Sequence, residues 1–341
     1  MTSLVSAPQI PDQELIKTLQ KADLLEDPAN ATFTALTGGV ASEIWKVETG
    51  NKIYCIKRAL PKLKVAADWF APIERNRFEV AWCRIVGKIV PGSAPHIFYH
   101  DDEKMLCCME FLDPADYALW KDELRGGRGD PSHAEKVGRN LGRIHSASAS
   151  DKAIHAQFPR IDIFHAIRLE PYLEATASKH PELKDALFGL SKTTGDTRPV
   201  MIHGDTSPKN ILLGPNGPVF IDAECACMGD PAFDLAFCLK HFLLKCLWVP
   251  AEQEKFLKNF EVMVNAYLAE VTWEDRDALE ARTAKLLPGL FLGRVDGKSP
   301  VEYVTEEAQK NKVRRCATEL LVSRPTRLMD VVEHWKKELS R

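Results

Sequence analysis

The sequence predicts a two-lobed α+β fold, with a small antiparallel sheet and one helix first and a mainly helical lobe after it. Three observations predict it. Short alternating apolar runs, broken at Gly38-Gly39 and Thr49-Gly50-Asn51, fill the early chain. Helical periodicity with cap signals dominates beyond residue 130. Within the helical region a single polar loop is bracketed by apolar strand-like runs, from Pro199 to Asp222. The expected division is 1–112 for the sheet lobe and 113–341 for the helical one.

Composition narrows the class. Apolar residues at 45%, charged residues at 27% and a net charge of −3 suit an ordinary globular enzyme. That balance leaves no electrostatic footprint for nucleic acid or an anionic membrane. The most apolar long segment, Phe233 to Val249, contains Lys240, His241 and Lys245 and reads as a buried core helix. Nine cysteines at no regular spacing read as reduced core thiols. With no leader-like N-terminus, these features predict a cytoplasmic protein, monomeric or homodimeric.

Taken in order, residues 1–30 predict an amphipathic helix around Leu15, Ile16 and Leu19. Strands are expected over Thr32–Thr37, Ile44–Val47 and Lys52–Lys57, followed by a helix from Ile73 to Ile89 with Phe78, Trp82, Ile85 and Val86 inward. Both Glu74 and Glu79 border that stripe. Strands His96–Tyr99 and Met105–Met109 come next, and Glu110-Phe111-Leu112-Asp113-Pro114 leaves the sheet as a linker. The next helix is expected over Ala134 to Ser146, opened by a capping box from Ser132 to Glu135. Asp230 with Pro231 should cap a later helix whose first turn holds Asp234. Leu292 to Glu302 reads as a polar loop ending in a second capping box, Ser299 to Glu302.

The chemistry concentrates in His203-Gly204-Asp205-x-x-x-x-Asn210. The run Asn210 to Leu213 leaves this loop as a strand, turns at Gly214–Gly217 and returns through Pro218–Ile221 to Asp222. Asp205, Asn210 and Asp222 are thereby brought together. A carboxylate to orient and deprotonate a hydroxyl, beside an amide oxygen and a second carboxylate able to hold magnesium, is what phosphoryl transfer from a nucleotide needs. The Gly38-Gly39 turn, closed by Ser42, can lay backbone amides over phosphates. Lys57 ends an apolar strand and is the favoured phosphate contact over Arg58, Lys62 and Lys64.

His-Gly-Asp-x-x-x-x-Asn followed by Ile221-Asp222-Ala223-Glu224 resembles the aminoglycoside phosphotransferase and choline kinase superfamily, small-molecule kinases with a protein-kinase-like fold. The Asp222-x-Glu224 motif, the stretch from Ala59-Leu60-Pro61 and the pair Arg314-Arg315 look most like its methylthioribose kinase branch. That resemblance implies ATP and Mg2+ as cofactors and a small, sugar-like alcohol as acceptor. It implies Asp205 as catalytic base, Asn210, Asp222 and Glu224 at the metal, and Lys57 on the phosphates, held by Glu79 in preference to Glu74. It also implies adenine contacts from the Glu110 carbonyl and Leu112 amide, acceptor contacts from Arg314 and Arg315, and loop support from His203 and Asp234. An aminoglycoside, choline or homoserine acceptor is the alternative within the resemblance. A nucleotide-binding pseudokinase is the alternative outside enzymology.

Overall fold

The computed structural model describes residues 11–36, 42–62 and 71–341. Gly38 and Gly39, and residues 63–69 of the stretch that begins at Ala59-Leu60-Pro61, lie outside the described residues. The strands β1 (Ala31–Ala35), β2 (Ser42–Thr49), β3 (Lys52–Ala59), β4 (Ile97–Asp101) and β5 (Leu106–Glu110) form one antiparallel sheet in the order β1-β2-β3-β5-β4. Lys57 sits in β3 opposite Ile44 on one side and Cys107 on the other, at the centre of the sheet. Ser42 opens β2 opposite Ala59 and is buried.

Two different layers cover the sheet. The helix Gln13–Lys21, capped by the Asp12 carboxylate on the Leu15 amide at 2.8 Å, lays Leu15 and Leu19 against Trp45, Val47, Tyr54 and Ile56. The helix Arg75–Ile89 instead joins the main core of the molecule. Its Trp82 is fully buried and meets the rings of His203 at 4.8 Å and Phe220 at 6.1 Å, both edge-on. One helix therefore touches both the sheet and the polar loop.

Beyond Glu110 the chain is mostly helical. A three-stranded sheet of β6 (Ala118–Leu119), β8 (Ile211–Gly214) and β9 (Gly217–Phe220), and the pair β7 (Val200–Ile202) with β10 (Cys227–Gly229), frame the loop. The helix Pro231–Trp248 runs through the centre of the core, with Phe233, Phe237, Phe242 and Leu243 fully enclosed. No described helix is long and apolar enough to cross a membrane. All nine cysteines are free thiols, eight of them buried.

Two expected caps are corrected. The helix Pro131–Ser148 starts earlier than expected, because Asp130, one residue before Pro131, accepts from the Ser132 amide at 2.8 Å and so takes the capping role from Ser132. Residues Leu292 to Asp296 continue the helix Arg276–Asp296, whose buried Leu292 and Val295 pack into the core. No helix follows Ser299: the next begins at Glu307, and Glu302 is paired with Lys121. In both places a three-residue spacing of Ser and Glu occurred without the backbone that would use it.

Candidate active site

The loop begins where β7 ends and is pinned from behind. Asp234, in the first turn of Pro231–Trp248, accepts from the His203 amide at 2.7 Å and from the Gly204 amide at 2.8 Å. Its carbonyl accepts from the Thr206 hydroxyl at 2.7 Å. Gly204 has φ +77°, and a Cβ there would stand 2.7 Å from the Cys225 Cβ. No other residue fits that position. The His203 ring accepts the Asp205 amide at Nδ1 (3.1 Å) and so donates from Nε2 to the Ile221 carbonyl (3.1 Å), which ties the loop to the returning strand. Burial keeps this imidazole below its ordinary pKa, in the neutral form such a bridge requires.

Asp205 is buried, and one of its oxygens is fully engaged. Oδ2 meets Arg168 Nη2 at 2.7 Å and Lys209 Nζ at 3.3 Å. Among the described residues nothing hydrogen-bonds Oδ1. Burial opposes the charge, but Arg168 and then Lys209 outweigh it and hold the carboxyl below the usual range. Arg168 was not picked out from sequence. It projects from a π-helix, His165–Glu174, that contains Pro171, and its Nε also bonds the Gly204 carbonyl at 2.8 Å. An arginine set between the apolar Ile167 and Leu169 was the one available signal.

Asn210 donates Nδ2 to the Asp205 carbonyl at 3.1 Å, so its oxygen is the end left free for a ligand. The Ile221 amide bonds the Asn210 carbonyl at 2.9 Å, placing Asp222 one residue beyond that link. Asp222 adopts φ +65°, a left-handed conformation that aspartate tolerates. The backbone is therefore not extended from Asp222 to Glu224. Asp222 pairs with Lys57, whose Nζ also lies 2.8 Å from Glu79 Oε1. Glu79, not Glu74, is thus the lysine's partner; Glu74 stands near Arg160.

This cluster is acid-rich. Burial opposes the Lys57 charge, but Asp222 and Glu79 raise its pKa further; burial likewise opposes the Asp222 charge, yet Lys57 holds that carboxyl well below its ordinary range. Burial pushes Glu79 up to about 7 despite Lys57, and its Oε2 has no partner. Glu224 is raised by burial and by Asp222, although Arg75 Nε sits 3.1 Å away. Asn210, Asp222 and Glu224 together present oxygen ligands of the kind magnesium takes. Among the described residues no group of three or more His, Cys, Asp or Glu is placed to hold a metal ion.

The remaining expected residues are placed as follows. Glu110 ends β5 opposite Tyr54, and Leu112 lies in the segment leaving the sheet. Arg314 and Arg315 are on the helix Glu307–Ser323; Arg314 forks onto Asp296 at 2.8 Å for both bonds, and Arg315 holds Glu338. Neither lines the cleft beside Lys209, whose cationic wall comes from Lys121, Lys245 and Arg294.

Three comparisons bear on this geometry. Residues 32–280 match the model of the phosphotransferase enzyme family. Methylthioribose kinase from Bacillus mycoides is 25% identical over 296 residues, spanning 73% of this chain and 74% of that enzyme. Its counterpart from Bacillus cereus is also 25% identical, over 68% of this chain and just 65% of that enzyme. Among solved structures, the amicoumacin kinase hAmiN in complex with AMP-PNP, Ca2+ and Ami has a TM-score of 0.56 at 15% identity, covering 93% of this chain and 95% of that one. A choline/ethanolamine kinase family protein from Mesorhizobium loti has a TM-score of 0.51 at 16% identity, covering 95% and 99%. These two structures share the fold.

Proposed function

The chain belongs to the phosphotransferase enzyme family, and within it we propose a kinase that moves the γ-phosphoryl group of ATP to a hydroxyl of a small, sugar-like alcohol. The observation that supports this most is the convergence of Asp205, Asn210, Asp222 and Lys57 at one hairpin mouth, with Asp205 Oδ1 left free. The acceptor oxygen bonds to the γ-phosphorus as the bond to the β–γ bridging oxygen breaks. That electron pair leaves on ADP, and the hydroxyl proton passes to Asp205 Oδ1.

Around that step each side chain has a task. Arg168 and Lys209 keep Asp205 ionised and aimed. Lys57, held by Glu79, would steady the phosphates, and Ser42 at the start of β2 would lie over them. Asn210 and Asp222, assisted by Glu224, would hold magnesium, which when bound supplies the positive charge that neutralises the phosphates. The Glu110 carbonyl and Leu112 amide would meet the adenine edge. His203 and Asp234 keep the loop rigid.

The test is ADP release in a coupled assay, across pentoses, methylthioribose, sugar acids, aminoglycosides and amino alcohols. At least one sugar-like acceptor should raise the rate far above ATP hydrolysis in water. If none does, the enzyme reading fails.

A further inference from the structure

Beside the loop lies a small cleft of about 30 Å3, walled by Pro208 and Lys209 and by residues from four further segments. Its lining is cationic. Lys245, Arg294 and Lys121 surround one carboxylate, Glu302, which Lys121 already holds; His241 beside them is kept well below its ordinary pKa by burial and then by Lys240 and Arg294, and so is neutral. Lys245 is 1% exposed, and its Nζ has neither a hydrogen bond nor an ion pair among the described residues. It rests on ring faces alone, 4.5 Å from Trp248 and 5.0 Å from Tyr303, which stack on each other. Arg294 Nη1 donates to the Tyr172 hydroxyl at 3.0 Å, to Ser299 Oγ at 3.1 Å and to the Ser299 carbonyl, while among the described residues its buried Nε has no partner. Lys240 Nζ is also buried; among the described residues it has no hydrogen bond and lies over the rings of Phe237 and Tyr172.

Resting on the kinase reading above, we propose that the acceptor is anionic. Its carboxylate or phosphate seats between Lys245, His241 and Arg294 while its hydroxyl reaches Asp205. Burying unpaired cations is costly unless a counter-charge arrives, and this cleft has no free carboxylate of its own to give them. Burial, followed by Lys121, leaves Lys245 at about 7, poised to regain its proton when an anion enters. A polycationic or quaternary-amine acceptor would meet repulsion here instead.

The experiment pairs each neutral pentose with its aldonic acid and its sugar phosphate, adds an amino alcohol, and follows ADP release in the wild type and in Lys245→Met. An acid or phosphate acceptor should exceed its neutral partner at least tenfold in kcat/KM. Lys245→Met should raise KM for that anion tenfold or more, with KM for ATP within twofold. Preference for the neutral sugar or amino alcohol overturns the anion inference and leaves the kinase reading intact. A rise in KM for ATP in place of the acceptor assigns the cleft to the nucleotide and also overturns it. Turnover of no acceptor in any class defeats the kinase reading itself. Calorimetric binding of AMP-PNP reports whether Lys245→Met is folded; should it fail, Arg294→Gln carries the same expectation.

Discussion

The two flanks of the loop carry opposite surpluses of charge. On the sheet side, Lys57 and Arg75 face Glu79, Asp222 and Glu224. On the helical side, Arg168, Lys209, Lys245 and Arg294 face Asp205 and Glu302, with Lys240 also buried. The groups nearest neutrality mark each surplus. Burial lifts Glu79 and Glu224 on one flank and lowers Lys240 and Lys245 on the other. A surplus of buried acid suits an arriving cation, and a surplus of buried base suits an arriving anion. The difference predicts what each flank receives: a metal-bound nucleotide on one, a negative acceptor on the other.

The largest expected effect comes from the residue between the flanks. Asp205→Asn should lower kcat by roughly 10³-fold while AMP-PNP binding persists, because it removes the proton acceptor and keeps the shape. Unchanged turnover would reject Asp205 as the base. On the sheet flank, Lys57→Met leaves three acids with one cation, Arg75. A fall in kcat of about 10²-fold is expected, of the size seen when one transition-state donor is removed. Excess magnesium should offset part of that loss if the flank's preference is set by charge; rescue by added acceptor in place of metal would invert the comparison.

How much of this was legible in the sequence follows from where each partner lies. Asp205, Asn210 and Asp222 were readable because a short hairpin brings them together, and hairpin register is a local property. Glu79 was favoured over Glu74, and the structure gives it to Lys57 at 2.8 Å. Arg168 was not readable: its direction depends on a π-helix around Pro171, and its partner lies 37 residues further along the chain. Lys245 was read as a mark of a buried helix, which it is, but which face it lines depends on the packing of distant segments such as Tyr303. Asp234 stood out in sequence through resemblance, and its two amide bonds give it a physical role.

Asp234 also asks whether the flanks are held apart by charge alone. Asp234→Ala leaves the buried amides of His203 and Gly204 without an acceptor, each costing on the order of 1–3 kcal/mol. Urea unfolding should show a loss of about 4 kcal/mol, the middle of that range for two amides, with the acceptor preference of the remaining folded enzyme unchanged. A switched preference at full stability would mean that loop position, not cleft charge, selects the acceptor.

The smallest effect is a pH slope, and it isolates the helical flank. Burial, followed by Lys121, holds Lys245 at about 7 in the folded chain, whereas an exposed lysine titrates near 10.4. Between those values the unfolded chain binds the additional proton, so stability rises with pH, by at most about 1.4 kcal/mol per unit. Below pH 7 both states are protonated and this contribution flattens at its most unfavourable value. Lys245→Met removes the titration, so the variant should gain most over the wild type near pH 7 and least near pH 10. A saturating anionic acceptor should flatten the wild-type slope in the same way, since a paired Lys245 keeps its proton in the folded state too. Parallel slopes in wild type and variant would mean that Lys245 is already charged and matched, and the asymmetry between the flanks would lose its clearest member.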